Sequence, residues 1–326
     1  MKPGPKNLIT DVPGLKVGNA EDRDALTGTT VLIPDEPAVA AADVRGGGPG
    51  TREIDVMDPA NLVENIHAIC LSGGSAFGLE AAGGVMSRLA SAGRGFPIGG
   101  FHVPIVPSAI LFDLMNGGDK DWGEDPPYRA LGKQAADNAA VEFELGNAGA
   151  GLGATAGSLK GGLGSASIVL DDGTTVGALV AANPTGSVVM PDGRTFWAWP
   201  FEQGEEFGGN PPPTTRADGK ADVATALPGA NTTIAIVATD ATLSKGQAKR
   251  VATMAHDGLA RAIRPVHTPF DGDTVFALST ARRPVPDPSG LSQIGSAAAD
   301  CLARAIARAV WLADDIAGMR SYRGSI

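Results

Sequence analysis

One stretch constrains the fold of this chain more than any other: Gly229-Ala230-Asn231-Thr232-Thr233-Ile234-Ala235-Ile236-Val237-Ala238-Thr239. Its second half is an apolar run with β-branched residues and reads as a buried strand. It follows a segment from Gly204 to Gly229 that is rich in Pro, Gly and polar residues and reads as a loop. A Thr at the start of a core strand, just after a long loop, is where a self-cleaving hydrolase places its nucleophile. The chemistry requires such a place. A Thr hydroxyl is a weak nucleophile until a base takes its proton. An N-terminal Thr carries that base as its own α-amine, whose ordinary pKa is about 7.7–8.0. An internal Thr gains the amine when its hydroxyl attacks the preceding carbonyl, turns the peptide into an ester, and water releases the new terminus. The competing reading of Asn231-Thr232-Thr233 is a plain turn entering a strand. The residues downstream favour the nucleophile.

After that strand, Ser244 and Gln247 form a capping box at the start of a helix. Val251, Met254, Ala255, Leu259 and Ile263 supply its apolar face. Asp271-Gly272-Asp273 then precedes a strand, Val275 to Ser279, and an amphipathic helix from about Leu291 to Ala317 closes the chain. The twelve-residue ligand ladder of a calcium loop is missing around the two acids. They stand two apart, so in extended geometry both side chains project to one face. Such a pair can orient a hydroxyl and hold an N-terminal ammonium; the alternative is two solvated acids in a turn. If strands 232–239 and 274–280 are neighbours, the pair and Thr232 meet at one end of a sheet.

Upstream, Leu15 to Gly18, Thr29 to Ile33 and Val39 to Val44 read as strands. Arg45 to Gly50 is a glycine loop, either a backbone surface near a ligand or a plain connection. Ile66 to Ser72 reads as a strand running into Gly73-Gly74-Ser75-Ala76-Phe77-Gly78-Leu79-Glu80 and then a helix. This resembles a phosphate site, but the spacing is not G-x-G-x-x-G and the P-loop Lys is missing. A tight turn presenting backbone N–H groups or Phe77 to a substrate cleft fits better. The two prolines in Val103 to Phe112 argue for an edge or a loop against the core. Tyr128 to Ala140 looks helical, and Ser165 to Ala182 reads as a hairpin. Lys160 is the one charge between Asn147 and Gly164; it is either solvated or serves as an electrophile near an active site. Asn183 before Pro184 is a turn residue or an oxyanion donor. Residues 200–230 read as a linker, unusually long for a compact domain.

The 326 residues allow one large domain or two ordinary ones. A net charge of −10 disfavours nucleic acid and anionic membranes, and with no signal pattern or long apolar run points to a cytoplasmic enzyme. Cys70 and Cys301 sit in apolar runs and read as buried thiols. No zinc-like spacing of His and Cys occurs.

Taken together, Gly73 to Glu80, Asn231-Thr232-Thr233-Ile234, His267-Thr268 and Asp271-Gly272-Asp273-Thr274 resemble the self-cleaving β-aminopeptidases, a family that includes the L-aminopeptidase/D-esterases and the 6-aminohexanoate-oligomer (nylon) hydrolases. The likeness spans nearly the whole chain, and the motifs stand nearest the nylon-oligomer branch. It implies an α+β, four-layer αββα sandwich of N-terminal-nucleophile-hydrolase type, without metal or cofactor. One domain, 1–326, would be cut between Asn231 and Thr232 into fragments 1–231 and 232–326, assembled as a homotetramer of processed heterodimers. It implies Thr232 as nucleophile and, through its amine, base. Asp271 and Asp273 would position it, Lys160 would assist it, and Asn183 would act in the oxyanion site or in processing. Gly74, Ser75 and Phe77 would face substrate. Phe77 stands where the nylon hydrolases have a Tyr, which removes a hydroxyl. The implied activity is cleavage of linear amides: short peptides, amino-acid amides or ω-amino-acid oligomers. The alternatives are an aminopeptidase releasing N-terminal residues, an acyltransferase of the ornithine acetyltransferase type, and a scaffold that never self-cleaves.

Overall fold

The computed structural model describes residues 1–211 and 231–326. Strands and helices are numbered in chain order. One sheet has five strands in the order β1 (Leu15–Asp22), β2 (Thr27–Pro34), β6 (Ile69–Ser72), β9 (Ser108–Ile110) and β4 (Thr51–Arg52). The other has six: β12 (Gly162–Val169), β13 (Thr175–Ala182), β14 (Ile234–Ala241), β15 (Thr274–Arg283), β3 (Ala38–Val44) and β5 (Asn65–Ile66). Two small hairpins complete the strands, β7 (Phe96–Ile98) with β8 (Phe101–Val103) and β10 (Thr155–Ala156) with β11 (Leu159–Lys160).

Alternation along the strands makes three cores out of two sheets. On β14, Ile234, Ile236 and Ala238 join β15's Phe276 and Leu278 in a core shared with Leu32, Ile69 and Leu71 of the five-stranded sheet. The intervening Ala235, Val237, Val275 and Ala277 turn the other way, onto helices α3 (Lys245–Ala262) and α4 (Pro288–Trp311). The five-stranded sheet buries Val31, Ile33 and Cys70 under α1 (Ala81–Ser91) and α2 (Tyr128–Asp137). The layers are therefore helix, sheet, sheet, helix, the expected αββα sandwich. Both thiols are buried and free, Cys70 in one outer core and Cys301 in the other, and burial pushes each up to about 12.

The capping box holds: Ser244 Oγ accepts the Gln247 N–H and Gln247 Oε1 accepts the Ser244 N–H. Three expectations are corrected. The run from Ile66 to Ser72 is two strands in two sheets, because the chain crosses over at His67-Ala68. Ser108–Ile110 is an interior strand, paired with β6 and β4; Pro104 and Pro107 precede it, so no ladder N–H is lost. The start of the expected linker is packed: Phe207 is buried against Phe196, and Glu206 pairs with Arg304. The rest of that linker, residues 212–230, lies outside the described residues. Among the described residues no helix is long and apolar enough to cross a membrane.

Candidate active site

Strands β14 and β15 are parallel neighbours, with Ile234 opposite Thr274. A parallel pair starts both strands at the same end, and α3 makes the crossover that this requires. The residues just before each strand, Asn231 to Thr233 and Asp271 to Asp273, are thereby brought side by side. Asn231 bridges Asp271, and the Thr274 N–H donates to the Thr233 carbonyl at 3.2 Å.

Thr232 is 2% exposed. Its N–H donates to the Asn183 carbonyl at 2.7 Å. Its hydroxyl donates to the carbonyl of Asn231, and its Oγ1 accepts the Gly272 N–H at 3.2 Å. The same Gly272 N–H lies 3.2 Å from the Asn231 carbonyl oxygen. Both ends of the Asn231–Thr232 peptide are thus held, nitrogen on Asn183 and oxygen on Gly272. A Cβ on Gly272 would stand 2.7 Å from the Gly48 carbonyl and 2.8 Å from Thr232 Oγ1, so the position has no room for a side chain. The Arg45 to Gly50 loop packs backbone to backbone on this turn: Gly48 N–H donates to the Asp271 carbonyl and Arg45 N–H to that of Asp273. It is a wall of the site, not a plain connection.

The carboxylates brace the backbone around Thr232 instead of holding its hydroxyl. Asp271 Oδ1 accepts the Thr185 N–H at 3.0 Å, and Oδ2 accepts the N–H and hydroxyl of Thr268 at 3.0 and 2.5 Å. Asp273 Oδ1 accepts the Thr233 N–H at 2.8 Å. Its Oδ2 accepts the His267 N–H at 3.1 Å and faces His267 Nδ1 at 2.7 Å. Burial pushes Asp273 above the usual carboxylate range; the His267 hydrogen bond pulls it back, and Asp271 adds to the rise.

Asn183 reaches Thr232 through its carbonyl. Its side-chain oxygen accepts the Thr155 N–H at 2.8 Å, and its amide donates to the Phe112 carbonyl at 3.0 Å. Lys160 is fully buried and donates to the carbonyls of Gly151, Ala154 and Gly161 at 2.8, 3.0 and 2.9 Å. It secures the loop whose next residue, Thr155, holds Asn183. Burial pushes Lys160 down to about 7, against an opposing pull from Asp113. Gly74 and Ser75 lie at the end of the other sheet. Gly74 has φ +88, open to Gly without strain, and its N–H donates to Asp113 Oδ1 at 2.8 Å. Phe77 is half exposed and meets Trp122 edge-on at 5.9 Å. The structure therefore unites Asn231, Thr232, Asn183, Asp271 and Asp273 directly, and places Lys160 one loop behind them. The Gly74 corner connects to them through the Leu111-Phe112-Asp113 segment, whose Phe112 carbonyl accepts the Asn183 amide.

Sequence reasoning missed Asp113, which is buried, accepts the Thr27 hydroxyl at 2.6 Å, and is pushed up by burial. Its signal was a single acid closing the apolar run Ala109 to Phe112. It also missed Thr268 and Gly272 as partners, because their contacts are made by turn geometry that no periodicity encodes.

The model of peptidase family S58 matches residues 7–323. The chain is a member of that family. An uncharacterized aminopeptidase of Mycobacterium leprae is 46% identical, over 98% of this chain and 94% of its own. A 6-aminohexanoate-oligomer endohydrolase of Kocuria sp. is 31% identical, over 89% and 79%. Among solved structures, a Burkholderia sp. β-aminopeptidase superposes with a TM-score of 0.70 at 26% identity, covering 98% of this chain and 91% of its own. The L-aminopeptidase D-Ala-esterase/amidase of Ochrobactrum anthropi, described as a variant of the Ntn-hydrolase fold, gives 0.68 at 23%, covering 96% and 88%. This S58 member is accordingly a hydrolase acting on amides or peptides, on an N-terminal-nucleophile hydrolase fold.

Proposed function

We propose that this S58 member cuts itself between Asn231 and Thr232 and then hydrolyses linear amides with the Thr released. The observation that carries the reading is the clamp on that one peptide bond. Thr232 Oγ lies beside the carbonyl it would attack, and Gly272 N–H faces the oxygen that would become negative. In processing, Thr232 Oγ bonds to the Asn231 carbonyl carbon and the C–N bond breaks. The hydroxyl proton passes to the leaving nitrogen, and water hydrolyses the ester. The new amine then lies on the Asn183 carbonyl, where it serves as the base for its own hydroxyl. Substrate follows the same two steps, acylation of Thr232 and hydrolysis.

The substrate class is short peptides, amino-acid amides or ω-amino-acid oligomers, supported by relatives named for both kinds of activity. Fragments 1–231 and 232–326 would stay together, since β14 is interior to the six-stranded sheet and pairs with β13 across the cut. Intact mass with N-terminal sequencing tests the reading: two fragments are expected, one beginning Thr-Thr-Ile-Ala. Thr232→Ala is expected to remain one chain and to lose hydrolysis of an amino-acid amide and of a 6-aminohexanoate oligomer. A Thr232→Ala protein that is cut, or that hydrolyses either compound at the wild-type rate, overturns it.

A further inference from the structure

His267, which meets Asp273 at the mouth of β15, has an unusual geometry. Its φ is +54, in the left-handed region that non-glycine residues seldom adopt. That backbone turn aims two donors of one residue at one oxygen: the His267 N–H and ring Nδ1 both meet Asp273 Oδ2, at 3.1 and 2.7 Å. The ring is packed from behind by His256 of α3, edge-to-face at 4.9 Å between centroids. His256 is buried, with Nε2 2.9 Å from the Asp43 carbonyl, and burial pushes it down to about 4, so it packs as a neutral ring. The charged groups around the pair are Asp271 and Asp273 at the β15 mouth, and Asp43 and Arg45 at the end of β3. Asp43 itself is engaged by Lys249 of α3 and by Arg45.

We infer that His267 is a positioning residue, whose Nδ1–H orients Asp273 so that Asp273 pins the Thr233 N–H and with it the backbone carrying Thr232. The inference rests on the Thr232 reading above. The chain of contacts is short: His267 Nδ1 to Asp273 Oδ2, Asp273 Oδ1 to the Thr233 N–H, and then one peptide to the nucleophile. The ring touches neither the hydroxyl nor the scissile carbonyl, so its effect passes through Asp273. With Oδ2 held by two donors of His267, Oδ1 is kept turned to the Thr233 N–H, and this restrains the backbone that sets the Thr232 Oγ beside the Asn231 carbonyl.

Two substitutions separate the ring's hydrogen bond from the backbone strain. His267→Gly relieves the positive φ and deletes the ring. His267→Asn tolerates the same φ and keeps an N–H near the place of Nδ1. Processing is followed by intact mass over time, and kcat and KM on an amino-acid amide are measured from pH 4 to 9, with Thr232→Ala alongside. For His267→Gly, processing and kcat are expected to fall about tenfold or more, the scale set by misplacing a reacting group, with KM little changed. The acid limb of kcat should move to higher pH, because the hydrogen bond that lowers the Asp273 pKa is gone. His267→Asn is expected to restore most of the rate and to return the limb toward wild type. His267→Gly within twofold of wild type in both rates overturns the inference, as does an unmoved acid limb or equal losses in the two variants that follow melting temperature alone. If Thr232→Ala is itself cut or active, the nucleophile reading fails first and the His267 role falls with it. An inert Thr232→Ala beside a normal His267→Gly removes the His267 inference alone.

Discussion

Lys160 and Arg304 are both fully buried cations, and they are treated oppositely. Arg304 meets a counter-charge: its Nε and Nη2 donate to the two oxygens of Glu206 at 2.5 and 3.0 Å, with further bonds to the Ser167 carbonyl and Asn7 Oδ1. Lys160 donates to three carbonyls and to no carboxylate among the described residues, and burial brings it down to about 7 against the opposing pull of Asp113. A guanidinium matched to a carboxylate stays charged and fastens structure, here α4 to the 202–207 segment and the N-terminal arm. A buried ammonium bonded to carbonyl dipoles and not to a carboxylate sits near its titration point at neutral pH. The first lies on the outer helix side of the sandwich. The second lies one loop behind Thr232.

Arg304→Met should show the largest effect. It takes the bidentate partner from Glu206, leaving that buried carboxylate the Asn7 amide and the more distant Arg308, and a loss of about 3 kcal/mol in urea unfolding is expected, the low end for removing one partner of a buried pair. Adding Glu206→Met should recover most of it; if the double variant is no better than the single one, packing and not charge pairing is what Arg304 supplies. Lys160→Met comes next and sharpens the contrast through pH. The folded pKa lies below the ordinary Lys value of 10.5, so between about 7 and 10.5 the unfolded chain binds a proton that the folded chain does not. Lys160 therefore makes wild-type stability rise with pH across that window, by at most about 1.4 kcal/mol per unit. Its stabilising contribution is complete above 10.5 and is lost as pH falls toward 7. Lys160→Met should lack this rise in denaturation series at pH 7, 8 and 9. Parallel slopes in the two proteins would mean that the lysine does not titrate there. The smallest effect belongs to an exposed pair, Arg88 with Asp137, whose side chains are 40% and 44% exposed. Arg88→Ala should change stability by no more than about 0.5 kcal/mol. A larger loss would show that surface pairs in this protein are not the neutral background against which Arg304 is read.

Much of the sandwich was legible from short-range pattern. Strands β1 to β3, the hairpin of β12 and β13, β14 and the capped helix α3 follow from alternation, turn residues and the Ser244–Gln247 box. The failures share a cause. Ile66 to Ser72 is mostly apolar because both of its halves are buried, and apolarity does not say in which sheet. Phe207 and Glu206 sit in a stretch of linker-like composition; Glu206 is held by Arg304, about a hundred residues later, and Phe207 by Phe196, itself packed on Tyr322. At the site, residue types and spacing singled out Asn231, Thr232, Asp271 and Asp273. Their roles were less legible. A pair of acids two apart suggests a ligand for the hydroxyl, whereas here each is consumed by backbone N–H groups.

What the sequence determined by itself was local and chemical: a hydroxyl residue opening a core strand, two acids opening another, and a helix long enough to bring them into register. Only the tertiary structure decided who holds whom. The parallel pairing of β14 with β15 sets Asn231 against Asp271. The fold also places the Gly272 N–H on the Asn231 carbonyl and the Asn183 carbonyl on the Thr232 N–H. Those contacts join residues roughly 40 to 50 positions apart through backbone atoms. Every residue carries the same backbone N–H and C=O, so no choice of side chain announces where they will point.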